Sequence, residues 1–109
     1  MINKMIPMNF NEYQEAAHKT AVYEEYIYPV LGLSAEVGEL MSHYAKLYRG
    51  DFREIDRDKL IKEAGDILWE LTEILTQNDI TLEHIAETNI KKLKDRQDRD
   101  KLKGDGDER

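Results

Sequence analysis

Glu36 and Glu39 stand three residues apart, as do Glu63 and Asp66, and both acidic pairs lie in stretches that read as one helix written twice. At an offset of 27 residues, LSAEVGELMSHYAKLY and LIKEAGDILWELTEIL match Leu33 with Leu60, Glu36 with Glu63, Gly38 with Gly65 and Glu39 with Asp66. Leu40, Tyr44 and Leu47 meet Ile67, Leu71 and Ile74, so the apolar positions coincide as well. Two helices that share a pattern can pair about a local two-fold axis, which would gather the four carboxylates. Like charges about 4 Å apart repel by roughly 4 kcal/mol per pair at an effective dielectric near 20, so the cluster calls for a cation. With oxygen ligands and no cysteine in the chain, that cation is expected to be Mg²⁺, with Mn²⁺ as a substitute.

Spacing alone says little in a chain with 23 Asp and Glu, where Glu12 with Glu15 and Glu70 with Glu73 also qualify. Position on the helical wheel says more. At about 100° per residue, Glu36 borders the apolar stripe Leu33, Val37, Leu40, Tyr44, Leu47, and Glu39 lies one step further round. Glu63 and Asp66 border Leu60, Ala64, Ile67, Leu71 and Ile74 in the same way. Acids at the edge of a stripe face a neighbouring helix. His43 shares the Glu36 and Glu39 face, either solvated or as a partner behind the ligands. Gly38 and Gly65, each costing about 1 kcal/mol against alanine inside a helix, suggest a close backbone approach. They fall with Ala45, Trp69 and Thr72 on a second face, suited to another helix or a second subunit.

Four helices are expected to position these residues. Asn9 with Glu12 resembles a capping box, opening a first helix from about Asn11 to Tyr23 with the stripe Phe10, Tyr13, Ala17, Ala21. The second begins near Pro29 and ends before Gly50, a suitable left-handed cap. Asp51 to Asp56 is polar. Asp56 caps the third helix, which runs to about Asn78, and Thr81 caps the fourth, which runs to about Asp98 with Leu82, Ile85, Ala86, Ile90 and Leu93 inward. Residues 1–98 form one helical domain, and 99–109 a polar tail with almost no apolar residue. On the fourth helix Asn89 falls in the apolar line, and Lys92 and Arg96 follow it at steps of three and four. This row reads either as cations favoured at a helix C-terminus or, beside a metal cluster, as a clamp for phosphate oxygens.

With 109 residues there is room for one domain and a modest core, which a small helical protein often completes by oligomerising. The fold class expected is all-α, a four-helix bundle. A net charge of −7 disfavours nucleic acid and anionic membrane as partners. No stretch approaches the roughly 20 apolar residues of a membrane span, and nothing near Met1 resembles a basic start plus an apolar run. A soluble, cytoplasmic protein is expected.

ExxE, 23 intervening residues and ExxD, in the context LGLSAEVGEL and EAGDILWEL, resembles the MazG-like branch of the all-α nucleoside triphosphate pyrophosphohydrolases. NEYQEAAHKTA is similar to that family's first helix, NIKKLKDR to its last, and LKGDGDER to the close of short MazG-like proteins. The resemblance implies a bundle that forms homodimers or homotetramers. It implies Mg²⁺ on Glu36, Glu39, Glu63 and Asp66, and hydrolysis of an NTP or dNTP to the monophosphate and pyrophosphate, a house-cleaning of nucleotide pools. It places Asn89, Lys92 and Arg96 on metal-bound phosphate, and has the tail fold over the site so that Lys103 or Arg109 meets phosphate. Glu36 or Glu39 would take the proton of an attacking water, and Gln14 would contact the nucleotide. Glu70 departs from the family, whose members often carry an aromatic there. The rivals are a non-enzymatic helical interaction module, a phosphoribosyl-ATP pyrophosphohydrolase and a dCTP- or dUTP-preferring enzyme. A di-iron carboxylate bundle needs two ExxH elements, and only Glu15 to His18 fits.

Overall fold

The computed structural model describes residues 8–103, with side chains to Asp100. Four helices and no strand are formed among them: α1 Phe10–Lys19, α2 Ile27–Arg49, α3 Arg57–Gln77 and α4 Leu82–Lys103. The all-α expectation holds, and the caps do as the sequence indicates. Asn9 and Glu12 form a reciprocal capping box. Asp56 accepts from the Asp58 and Lys59 amides, and Thr81 Oγ1 accepts from the His84 amide. Gly50 closes α2 at φ 94°, a backbone conformation that favours glycine. Pro29 sits in the first turn of α2, where its missing N–H leaves no helical bond unmade.

Two boundaries differ from the sequence reading. α1 stops at Lys19, not near Tyr23, because the Ala17 carbonyl is taken by the Thr20 amide and hydroxyl and by Trp69 Nε1, and the Ala21 amide turns back to His18. α4 continues past Asp98 to Lys103, so the first residues of the expected tail are helical. Its last turns are rich in charged helix formers, with Asp95 and Arg99 paired one turn apart at 3.4 Å.

α2 and α3 form the main pair, an antiparallel hairpin; α1 packs on α3, and α4 attaches through α1. Gln14 joins three of these parts. Its Nε2 donates to Thr76 Oγ1 at 2.9 Å and to the Ile80 carbonyl at 3.0 Å, and its Oε1 accepts from the Leu82 amide, an unpaired donor at the start of α4. The buried centre is small, comprising Ala17, Pro29, Glu70, Thr72, Glu73, Leu75 and Leu82. The predicted α2 stripe divides. Leu33, Leu40 and Leu47 are partly buried, whereas Val37 and Tyr44 are exposed and join Val30, Met41 and Tyr48 in a second, uncovered apolar face. Ile85, Ile90 and Leu93 of α4 are likewise exposed. The radius of gyration is 17.6 Å, against about 13 Å for a compact domain of this length. Among the described residues no helix is long and apolar enough to cross a membrane.

Candidate metal centre

The antiparallel α2–α3 pair brings all four predicted acids together. Ligand atoms of Glu36, Glu63 and Asp66 lie within 4.8 Å of one another, and so do those of Glu39, His43 and Glu63. Glu63 is common to both sets. Glu36 and Glu63 are partly buried, while Glu39 and Asp66 are exposed. Burial pushes the Glu36 carboxyl above its ordinary value, helped by the Asp66 and Glu63 charges, a hydrogen bond with Glu63 and the Glu39 charge. Every neighbouring group that shifts Glu36 is another carboxylate. Oxygen donors crowded in this way, without a positive neighbour among those groups, fit a hard divalent cation.

The acidic line continues further along α3 than the sequence reading followed it. Glu70 is 8% exposed, and a Cβ built at Gly32 would fall on its carboxylate, so the close approach between the helices is at Gly32. Glu70 Oε1 is buried without a hydrogen-bond partner. Burial raises the Glu70 carboxyl, with further upward pushes from Glu36, Asp66 and Glu73. Glu73 is fully buried. It accepts from Tyr23 Oη at 2.6 Å and from His18 Nδ1 at 3.1 Å, and Gln77 Nε2 donates to the same Tyr23 oxygen at 3.0 Å. Glu63, Asp66, Glu70 and Glu73 follow at steps of three, four and three, which is one face of a helix. That spacing was available in the sequence.

Among the described residues nothing lies within 4 Å of a Cβ built at Gly38 or Gly65, so of the two occupants expected for their face, another helix of the same chain does not meet them. Of their expected companions Trp69 and Thr72 pack, while Ala45 is exposed. Thr72 is fully buried, and Trp69 Nε1 donates to Thr20 Oγ1 at 2.9 Å. Trp69 also stands edge-on to Tyr23, at 6.2 Å between ring centres, and Tyr23 stacks on Tyr28 at 5.7 Å. These three rings, with Ile27, Leu31 and Thr20, line a cleft of about 610 Å³.

The cationic row is placed differently from the acids. Asn89 and Lys92 are exposed, and Arg96 is partly buried with its Nε lacking a hydrogen-bond partner. The shallow hollows at Lys92 and Arg96 are lined by α4 residues alone, Thr88 to Asp98 around the one and Ile90 to Asp100 around the other. None of the four acids lines either hollow. Asn89 is not the buried amide that its place in the apolar line suggested, because α4 meets the body chiefly through α1 and leaves this position exposed. The Gln14 amide is engaged by Thr76, Ile80 and Leu82. Arg109 and the Lys103 side chain lie outside the described residues.

The profile of the MazG nucleotide pyrophosphohydrolase domain matches residues 3–99. The chain belongs to the MazG family. It is also 33% identical over 114 residues to Gene 37 protein of Mycobacterium phage L5, covering 94% of this chain and all of that relative. No solved structure matches it. In this MazG-family chain each clustered set draws on both the ExxE and the ExxD pair, and α3 carries the acidic line on to Glu70 and Glu73.

Proposed function

We propose that the chain is a Mg²⁺-dependent nucleoside triphosphate pyrophosphohydrolase that clears NTPs or dNTPs from the nucleotide pool. The observation that carries this reading is the pair of ligand sets meeting at Glu63, in a chain of the MazG family. Glu36, Glu39, Glu63 and Asp66 hold the cation. A bound Mg²⁺, or Mn²⁺ in its place, supplies the positive charge that lets a chain of net charge −7 accept a triphosphate and release pyrophosphate. Water attacks the α-phosphorus and the α–β anhydride bond breaks, giving a monophosphate and pyrophosphate. Glu36, whose carboxyl binds its proton more tightly than usual, is suited to take the proton of that water, with Glu39 beside it as the other candidate base. The cleft of Tyr23, Tyr28 and Trp69 offers stacking faces to a nucleobase, and Tyr23 ties it to the acidic line through Glu73.

The uncovered apolar face of α2 and the exposed apolar residues of α4 support a homodimer or homotetramer. In that assembly Asn89, Lys92 and Arg96 of one chain would meet phosphate at the acids of another, with Lys103 and Arg109 close behind. Mixing two inactive proteins tests the arrangement. Asp66→Asn and Lys92→Ala/Arg96→Ala chains, unfolded together and refolded, should recover pyrophosphate release in the mixed assembly. A mixed assembly that stays inactive counts against a site shared between chains. Absence of turnover by the wild type across standard, deoxy and damaged nucleotides would favour an interaction module.

A further inference from the structure

The aromatic cleft between α3 and the connection of α1 to α2 differs from a plain stacking surface in the polar groups it leaves open. Trp69 follows Asp66 by three residues on α3, so the two are neighbours on the helix surface, about 4.5 Å apart along its axis. The donors of three side chains in the cleft are already committed. Trp69 Nε1 donates to the Thr20 hydroxyl and the Ala17 carbonyl, and Thr20 Oγ1 donates to that carbonyl at 2.7 Å. Tyr23 Oη donates to the fully buried Glu73 and accepts from Gln77 Nε2, so this hydroxyl is held from both sides. The polar side chains still open to a ligand are Tyr28, whose hydroxyl can give or take, and the exposed Glu24 and Glu25, whose carboxylates only accept. Among the described residues no lysine or arginine lines the cleft.

We propose that this cleft selects nucleotides whose base carries an exocyclic amino group, those of cytosine, adenine and guanine, over uracil and hypoxanthine nucleotides, with Glu24 and Glu25 accepting from the amine. The inference rests on the reading of the chain as a nucleoside triphosphate pyrophosphohydrolase with its base in this cleft, and adds the substrate class. An amino N–H aimed at a carboxylate makes a charge-assisted hydrogen bond. A carbonyl oxygen in the same place meets another acceptor and loses its water without replacement. The rings of Tyr23, Tyr28 and Trp69 hold every base alike, because each has a π-face, so stacking supplies affinity and the carboxylates supply choice. Glu73 sharpens that choice at a distance. A free Tyr23 hydroxyl could turn to serve either kind of base, but one bound to Glu73 cannot donate to a carbonyl.

Trp69 is the single tryptophan of the chain, so its fluorescence reports a base entering the cleft without reference to turnover. The probes are the α,β-methylene analogues of CTP, UTP, GTP and ITP, titrated into the full chain with Mg²⁺. The first pair exchanges an amine for a carbonyl, and the second loses the amine to hydrogen. All four should quench Trp69, with the amino member of each pair binding at least about fivefold more tightly. Glu24→Gln/Glu25→Gln should remove that preference, since an amide gives as well as takes. Loss of two negative charges strengthens every analogue and cancels in the ratio. Circular dichroism shows whether the variant is folded, and the wild-type ratios carry the result if it is not. Equal affinities within both pairs, or a preference that survives in the folded variant, overturns the inference and leaves the pyrophosphohydrolase reading standing. Pyrophosphate release without quenching by any analogue puts the base elsewhere and overturns the inference alone. Neither quenching nor release overturns both.

Discussion

Glu70 is a residue whose surroundings oppose its charge. It is buried, it lies against the backbone notch at Gly32, and the groups that shift it after burial are Glu36, Asp66 and Glu73. The carboxyls of Glu36 and Glu70 both bind protons more tightly folded than at the ordinary value of 4.5. The stability conferred by that protonation is present below 4.5 and lost as pH rises through the folded values. The metal-free protein should therefore melt at a lower temperature at pH 8 than near pH 4.5, and Glu70→Gln should narrow the gap. An unchanged melting temperature across that range in chelator would contradict the account of both carboxyls. The acids Glu36, Glu39, Glu63 and Asp66 were legible in the sequence, because two copies of one pattern place them at matching edges. Glu73 was not recognised, since a buried carboxylate only makes sense once Tyr23 and His18 are seen to meet it.

At the scale of elements, the helices were legible where capping residues mark them and less so where tertiary contacts decide. Asn9, Gly50, Asp56 and Thr81 each act as the sequence indicates. The end of α1 depends on Trp69, fifty residues away, claiming the Ala17 and Thr20 oxygens, which no local pattern encodes. The glycines illustrate the same limit. Gly38 and Gly65 stood out by their matched positions but face open space, whereas Gly32, unmatched by the repeat, is the one that admits a side chain. Gly32→Ala should destabilise the fold by about 1–3 kcal/mol, because the buried Glu70 has little room to withdraw. Glu70→Ala in the same chain should recover much of that loss in chemical denaturation. Equal stability of Gly32→Ala and wild type would show that the α2–α3 approach is looser than described.

The whole molecule is a body of packed helices with α4 reaching beyond it and one face of α2 uncovered. A radius of gyration of 17.6 Å and exposed Val30, Val37, Met41, Tyr44 and Tyr48 leave an apolar face that the proposed homo-oligomer would cover. Met41→Glu should then shift the protein toward monomer in sedimentation velocity while α2–α3 contacts survive; an unchanged mass would remove that face from the interface. The cationic row of α4 shows why the site was only partly legible, since its residues could be listed from the sequence but their spacing does not say which groups they face. The most direct test of the central claim is the product balance, by ³¹P NMR, of a nucleoside triphosphate incubated with Mg²⁺ and the wild type or Asp66→Asn. We expect monophosphate and pyrophosphate in equal amounts from the wild type, and a rate at least about 100-fold lower from Asp66→Asn with its circular dichroism unchanged. Diphosphate with orthophosphate as products, or full activity in Asp66→Asn, would contradict it.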